Sequence, residues 1–317
     1  MRIDHCLILA AGFGTRMGAV GQKLPKVMWP VFEKSLLELQ VAYAKSLGIP
    51  KIFINLHYMG EEIVEAVKGK SIFEDVEFLW EKPEILDIGG GIHNLASKVN
   101  YKGKLLVLNA DQFFYIKKDE LLKILEPYKS EACALFSYWV DPKLGYNAIE
   151  LTPDRVMKGI VKNKDLPSLD HPVETYTGIS LVDLSKLKRS TGPSGFFDSV
   201  ANFKDVKVPV ILLKNIDYWD FGTVKRYWET CFRILSTYKV QSTHPFLRFL
   251  VEQRALKTWK INLQQDSYFA KNHMTINLGE NESTGDLKHA IVLDNTARPQ
   301  ASEKSMIWWK DISEEVK

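Results

Sequence analysis

The sequence predicts an α/β fold: a Rossmann-like, mixed but mostly parallel sheet sandwiched by helices, with a small C-terminal appendage. Three observations carry that prediction. Short apolar runs alternate with helical periodicity over the first half of the chain, as right-handed strand–helix–strand crossovers require. A glycine-rich loop closes the first apolar run, where sheets of this kind place their ligands. The composition is that of an ordinary globular protein, 45% hydrophobic, which excludes disorder, collagen and coiled coil as the main architecture.

Residues 6–10 read as a fully buried strand. Leu36, Leu39, Tyr43 and Leu47 then recur at helical spacing, with Ser35 as a cap before them and Gly48 and Pro50 as the stop. Residues 51–56 form the next strand, 61–67 a helix and 76–79 a third strand. A helix over 91–99 follows, entered through Gly89, Gly90 and Gly91. Residues 105–109 are a fourth strand leading to Asp111, and 120–125 a further helix. The second half changes character. Residues 132–139, 148–151, 156–161 and 176–182 are strand-like and separated by proline-containing turns, which predicts an antiparallel insertion or lid. Residues 208–213 return as a buried strand, and Tyr218-Trp219-Asp220-Phe221-Gly222 leads into a helix over 223–238. An amphipathic helix is expected over 246–259. The expected division is a main domain over 1–240 and an extension over 241–317.

Charge and cysteine content narrow the function classes. Lys and Arg number 42 against 39 Asp and Glu, a net charge of +3, which gives no reason to expect nucleic acid or an anionic membrane as partner. Cys6, Cys133 and Cys231 are far apart and form no CxxC pair, so they read as reduced core thiols. The apolar stretch near the N-terminus is too short for a signal peptide, and no run approaches a membrane span. A cytoplasmic location is expected.

The chemistry concentrates after the first strand. Leu9, Ala10, Ala11, Gly12, Phe13, Gly14, Thr15 and Arg16 are followed by Gly18 and by Leu24-Pro25-Lys26. Glycines let backbone N–H groups approach a phosphate closely. Arg16 adds a planar fork of donors and Lys26 a compact charge, and both suit a polyphosphate. A dinucleotide fingerprint fails because the third glycine comes one residue late, and no Gly-Lys-Ser/Thr of a P-loop occurs here. Asp111 ends a buried strand and Asp220 precedes a glycine turn. Two such carboxylates on the ligand side can hold one Mg²⁺ that shares triphosphate oxygens, although strand-end aspartates are also common turn and cap residues.

The G-x-G-T-R loop followed by Pro25-Lys26 resembles the nucleotidyltransferases that make nucleotide sugars, the nucleotide-diphospho-sugar pyrophosphorylases. Further segments fall in that family's order. The segment from Glu81 to Ile92 resembles its base-reading segment, Leu108-Asn109-Ala110-Asp111 its strand-end metal element, Thr177-Gly178-Ile179 its strand near the sugar, and Trp219-Asp220-Phe221-Gly222-Thr223 its W-x-D-V-G-T-P element. The resemblance spans roughly residues 3–235 and implies a GT-A-like nucleotidyltransferase fold. It implies a nucleotide site of Leu9, Ala10, Ala11, Gly12, Gly14, Thr15, Glu81 and Gly90, with Gly90 at the base. It implies catalytic Arg16 and Lys26, and Mg²⁺ on Asp111 and Asp220. The sugar-phosphate side falls to Asn109, Lys162, Glu174, Thr177 and Gly178. Two departures stand out: the family's Glu-Lys-Pro reads Val161-Lys162-Asn163-Lys164-Asp165, leaving Lys162 and Lys164 open, and the proline after Gly-Thr is Val224.

The expected reaction joins a nucleoside triphosphate to a sugar 1-phosphate and releases pyrophosphate. Leu86-Asp87-Ile88-Gly89-Gly90-Gly91-Ile92 and Tyr176-Thr177-Gly178-Ile179 resemble segments of N-acetylmuramic acid 1-phosphate uridylyltransferases. They favour uridine triphosphate with an amino-sugar-type 1-phosphate. The alternatives are a mannose 1-phosphate guanylyltransferase-like enzyme and a non-catalytic regulatory homologue that binds nucleotide sugar; the second commonly lacks the loop arginine or a metal carboxylate, and both are present here. A bifunctional acetyl-transferring enzyme would need a long β-helical domain, and fewer than 80 residues follow Val240. Residues 290–296 and 305–309 resemble two rungs of a left-handed β-helix. Two rungs are not stable alone, so they must pack on the main domain or on a second subunit, which leaves a homo-oligomer open.

Overall fold

A computed structural model describes residues 1–214, 216–256, 276–278, 290–294 and 304–317. Strand β1 (His5–Leu9) runs into the glycine loop and the short helix α1 (Gly18–Gly21). Helix α2 (Leu36–Ser46) begins at a capping box: Glu38 N–H donates to Ser35 Oγ at 3.2 Å and Ser35 N–H donates to Glu38 Oε2 at 3.1 Å. Next come β2 (Lys51–Leu56), α3 (Gly60–Val67), β3 (Val76–Trp80), α4 (Asp87–Lys98), β4 (Lys104–Asn109), β5 (Gln112–Phe114) and α5 (Lys118–Leu125).

The second half holds β6 (Cys133–Val140), β7 (Ala148–Leu151), β8 (Met157–Val161), β9 (Val173–Asp183), α6 (Phe196–Ser199), β10 (Val210–Leu212), β11 (Tyr218–Asp220), α7 (Val224–Val240) and α8 (Pro245–Glu252). The tail adds β12 (Ile276–Asn277), β13 (Ile291–Asp294), β14 (Met306–Trp309) and β15 (Ile312–Glu315).

The central sheet has seven strands in the order β10-β6-β9-β4-β1-β2-β3. Pairings β1–β2, β1–β4, β2–β3 and β10–β6 are parallel, whereas β9 runs antiparallel to both β4 and β6. The inner strands of the parallel half, β1, β2 and β4, are mainly apolar on both faces because helices cover both, and β1 buries Cys6, Leu7 and Ile8 completely. The expected antiparallel lid is therefore corrected in part. Strands β6 and β9 extend the main sheet, and only the β7–β8 ribbon stands apart from it. Strand β6 is buried at seven of its eight positions, so it reads as a core strand once its neighbours are known.

A second correction concerns α4. The three glycines lie inside the helix, which starts at Asp87. A Cβ on Gly90 would sit 2.5 Å from the Gly192 carbonyl oxygen, and one on Gly91 would sit 2.8 Å from Glu81 Oε1. Close packing of the 192–194 loop and of Glu81 thus outweighs the poor helix propensity of glycine. Helix α7 runs to Val240 rather than 238, and α8 ends at Glu252; residues 257–259 of that expected helix lie outside the described residues.

The tail strands β12, β13 and β14 pair in parallel, and β15 turns back against β14. Ile276, Ile291, Leu293 and Ile307 join the same buried cluster as Ile8, Met17, Trp29 and Phe113, together with Phe246 and Phe249 of α8. The rung-like segments pack on the main domain of their own chain. All three cysteines are free and buried, and burial pushes their thiols up, Cys231 to about 12. Among the described residues no helix is long and apolar enough to cross a membrane.

Candidate functional site

A cavity of about 440 Å³ opens at the carboxyl ends of β1, β2 and β4, a size in the range of small-ligand sites. Leu9, Ala10, Ala11, Gly12, Gly14, Thr15 and Arg16 line one side, with Lys26, Glu81, Asn109 and Asp111 around them. Eleven residues expected from sequence therefore meet in one cleft. Gly14 adopts φ of +64°, a left-handed conformation that favours glycine, and its carbonyl accepts the Met17 N–H at 2.9 Å. That turn exposes Thr15 and Arg16 while Met17 is buried beneath them.

Lys26 follows Pro25 in a short turn and crosses the cleft. Its ammonium donates to Asp111 Oδ2 and, at 3.1 Å, to the Gly222 carbonyl. Strand β11 pairs with β5 so that Asp220 lies opposite Gln112, and Phe221 N–H donates to the Asp111 carbonyl at 2.9 Å. This ribbon brings two carboxylates, distant in sequence, together beside Gly222. A Cβ there would meet Asp220 Oδ1 at 2.7 Å and Asp111 Oδ2 at 3.2 Å.

Asp220 is 7% exposed, and both of its oxygens accept hydrogen bonds. Its Oδ1 accepts the Gly222 N–H at 2.6 Å, and its Oδ2 accepts the Tyr146 hydroxyl and, at 2.9 Å, Arg226 Nη1. The Arg226 guanidinium lies 4.3 Å from the centre of the Tyr146 ring. Burial, and then the Asp220 carboxylate, push the Tyr146 phenol up, so it remains a proton donor.

The remaining expected residues fall into two groups. Asn109 donates to Gln112 Oε1 at 2.9 Å and sits against Gly178, whose φ of +81° lies in a bulge between β6 and β9. Thr177 Oγ1 shapes that bulge, donating to the Phe136 carbonyl at 2.9 Å and accepting the Ile179 N–H at 3.0 Å. Gly90, Lys162, Lys164, Glu174, Thr177, Gly178 and Asp220 do not line the cleft itself, although Asp220 and Gly178 sit directly behind Asp111 and Asn109, which do. The Gly90 N–H donates to the Ser194 carbonyl at 3.1 Å, so its backbone makes room for a loop instead of a base. Glu174 is buried against Ser137 and Arg155, an ion pair that occupies its carboxylate. Lys162 and Lys164 are exposed at the end of β8.

Sequence reading missed four residues that shape the cleft. Asn55 accepts the Ala10 N–H at 2.8 Å and donates to Glu81 Oε1 at 2.8 Å, and Glu81 Oε2 accepts the Leu86 N–H at 2.8 Å. Glu81 thus ties β2 to the start of α4. Gln40 donates to the Asn109 and Gln112 carbonyls at 2.9 and 2.7 Å. Tyr146 and Arg226 complete the set. Asn55, a polar residue closing a buried strand, carried a readable signal; the other three became legible only through their partners.

The parallel sheet, the glycine loop at its switch point and the charged groups facing across it define a nucleotide-handling α/β domain. The chain belongs to the family of the MobA-like NTP transferase domain, whose model matches residues 6–195. It is 28% identical over 183 residues to the bifunctional protein GlmU of Idiomarina loihiensis, covering 57% of this chain and 38% of that protein. It is 34% identical over 117 residues to the D-glycero-alpha-D-manno-heptose 1-phosphate guanylyltransferase of Campylobacter jejuni, covering 37% of this chain and 52% of that one. The chain thus spans between about a third and a half of the length of these relatives. Among solved structures, HddC of Yersinia pseudotuberculosis superposes with a TM-score of 0.61 at 21% identity, covering 73% of this chain and 99% of that one. A UDP-glucose pyrophosphorylase superposes at 0.56 with 20% identity, covering 76% and 100%. These two likenesses concern the fold.

Proposed function

We propose that the chain transfers a nucleoside monophosphate from a nucleoside triphosphate to a sugar 1-phosphate, with uridine triphosphate and an amino-sugar-type 1-phosphate as the substrate pair. The observation that carries this reading is the convergence of Arg16, Lys26 and Asp111 in one cleft with the glycine loop, with Asp220 beside Asp111 at Gly222. A sugar-phosphate oxygen attacks the α-phosphorus; the new P–O bond forms as the bond to pyrophosphate breaks. The protein's part is positioning and charge stabilisation. Arg16 meets the leaving pyrophosphate. Lys26 exchanges its bond to Asp111 for the α-phosphate and the sugar phosphate. Asn109, beside Gly178, faces the sugar.

Asp111 and Asp220 are hard oxygen donors that meet beside Gly222, and such a pair would hold Mg²⁺ together with phosphate oxygens and water. Held there, Mg²⁺ would supply Lewis-acid charge neutralisation for phosphate oxygens. Tyr146 and Arg226 hold Asp220 in place for it.

The uridine assignment rests on the likeness of residues 86–92 and 176–179 to uridylyltransferase segments. A second reading, guanosine triphosphate, is favoured by Asp87, a residue lining the cleft whose carboxylate type suits the two adjacent donors on a guanine edge. The 34% identity to a heptose 1-phosphate guanylyltransferase points the same way. Pyrophosphate release from four nucleoside triphosphates against a panel of sugar 1-phosphates, with Mg²⁺, tests both. A higher kcat/KM with guanosine triphosphate than with every uridine pair overturns the uridine assignment. Nucleotide-sugar binding without turnover overturns the transferase and favours a regulatory role.

A further inference from the structure

The C-terminal hairpin reaches the loop that carries Arg16. Strand β15 lies beside α1, and Ala19 N–H donates to Glu314 Oε2 at 2.8 Å across 295 residues of sequence. Gly18 adopts φ of +60°, and the space beside it that a Cβ would occupy is filled by the Glu314 side chain, with Cγ at 2.7 Å from that position. Any other residue at 18 would be strained in its backbone and would displace the carboxylate.

Among the described residues, this is the one hydrogen bond tying residues 12–20 to another part of the chain. The loop's other bonds are local: Met17 N–H to the Gly14 carbonyl at 2.9 Å, and Lys23 N–H to the Val20 carbonyl at 3.0 Å. Arg16 is exposed between Gly14 and Gly18; Met17 and Val20 anchor the loop in the core, and the bond to Ala19 fixes the backbone between them.

The hairpin delivering Glu314 is itself anchored. Ile307 is fully buried in the main core, Ile312 and Val316 pack against that core, and Val316 N–H donates to the Ser305 carbonyl at 2.9 Å. A carboxylate fixed on such a support makes a charge-assisted bond to a backbone donor, stronger than a neutral one. We propose that Glu314 is a positioning residue for the Arg16 loop, through which the C-terminal extension sets the catalytic geometry. The proposal rests on the transferase reading for its kinetic consequence, but not for its structural one.

The test compares full-length wild type, Glu314→Ala and Glu314→Gln, the last keeping a carbonyl acceptor for Ala19. Two readouts are taken: hydrogen exchange of peptides spanning residues 12–24, and kcat and KM separately. Glu314→Ala is expected to speed exchange in that loop and to lower kcat about tenfold with little change in KM and in melting temperature. Glu314→Gln is expected to recover most of the protection and of kcat. If Glu314→Ala matches wild type in loop exchange and in kcat, the positioning role is overturned. If wild type turns over no substrate pair, the transferase reading falls, and the exchange data alone decide whether Glu314 holds the loop.

Discussion

The two banks of the cleft carry charge in opposite ways. On the glycine-loop bank, Arg16 is exposed and makes no ion pair among the described residues. On the far bank, Asp220 is 7% exposed and accepts from the Gly222 N–H, the Tyr146 hydroxyl and Arg226. The first bank leaves a cation's bonding capacity for a ligand. On the second, both oxygens of the carboxylate already accept bonds that orient it. A change on the first bank should therefore alter chemistry alone, whereas one on the second should alter chemistry and stability together.

The sharpest break of that comparison is Asp220→Asn. It removes the negative charge of the proposed metal ligand and leaves Arg226 without its carboxylate. We expect turnover to vanish in the pyrophosphate assay, and denaturant unfolding to show a loss of about 2 kcal/mol. Unchanged stability would show that the network around Asp220 does not support the fold. Next in size, Arg16→Ala should lower kcat by about a thousandfold, since it removes a charge partner of the transition state. Its melting temperature should match wild type; a clear drop would mean that the loop bank is structural too.

Farther from the cleft, Arg155→Ala strips the partner from the buried Glu174. An unfolding loss of about 2 kcal/mol is expected, with kcat retained per folded molecule. A selective fall in sugar-phosphate affinity at unchanged stability would restore Glu174 to the substrate site.

The smallest effect concerns pH. Burial lowers the pKa of His93 from the ordinary 6.5, only partly offset by its hydrogen bond to the Ser199 carbonyl. The unfolded chain then takes up this proton at higher pH than the folded one. The contribution is present above about 6.5 and is lost as pH falls from there toward the folded value. His93→Gln should flatten the dependence of melting temperature on pH between about 7 and 5, by no more than about 1 kcal/mol in stability. An unaltered slope would assign that dependence to other groups.

Much of the parallel half was legible in the sequence because its signals are local. Strand β2 falls on the expected residues 51–56, and the box at Ser35 and Glu38 opens α2 where a cap was expected. The second half was harder. Strand β6 is joined to the main sheet by partners far along the chain, so local pattern did not separate a core strand from a lid. Gly89, Gly90 and Gly91 read as a loop for the same reason: the tight contacts that make a helix of three glycines worthwhile come from Glu81 and from residues 192–195.

By itself the sequence determined the class of fold and the glycine loop with Arg16 and Lys26, and it singled out Asp111 and Asp220, which the fold brings together. Each of these rests on residue type and short spacing, which short-range sterics and charge translate directly into structure. Only the tertiary structure decided that Asp220 is clasped by Tyr146 and Arg226, that Glu174 is committed to Arg155, and that Glu314 closes on Ala19. Those contacts join segments far apart in the chain. Their geometry is set by how the sheet, the β5–β11 ribbon and the tail hairpin pack, and no local pattern encodes that packing.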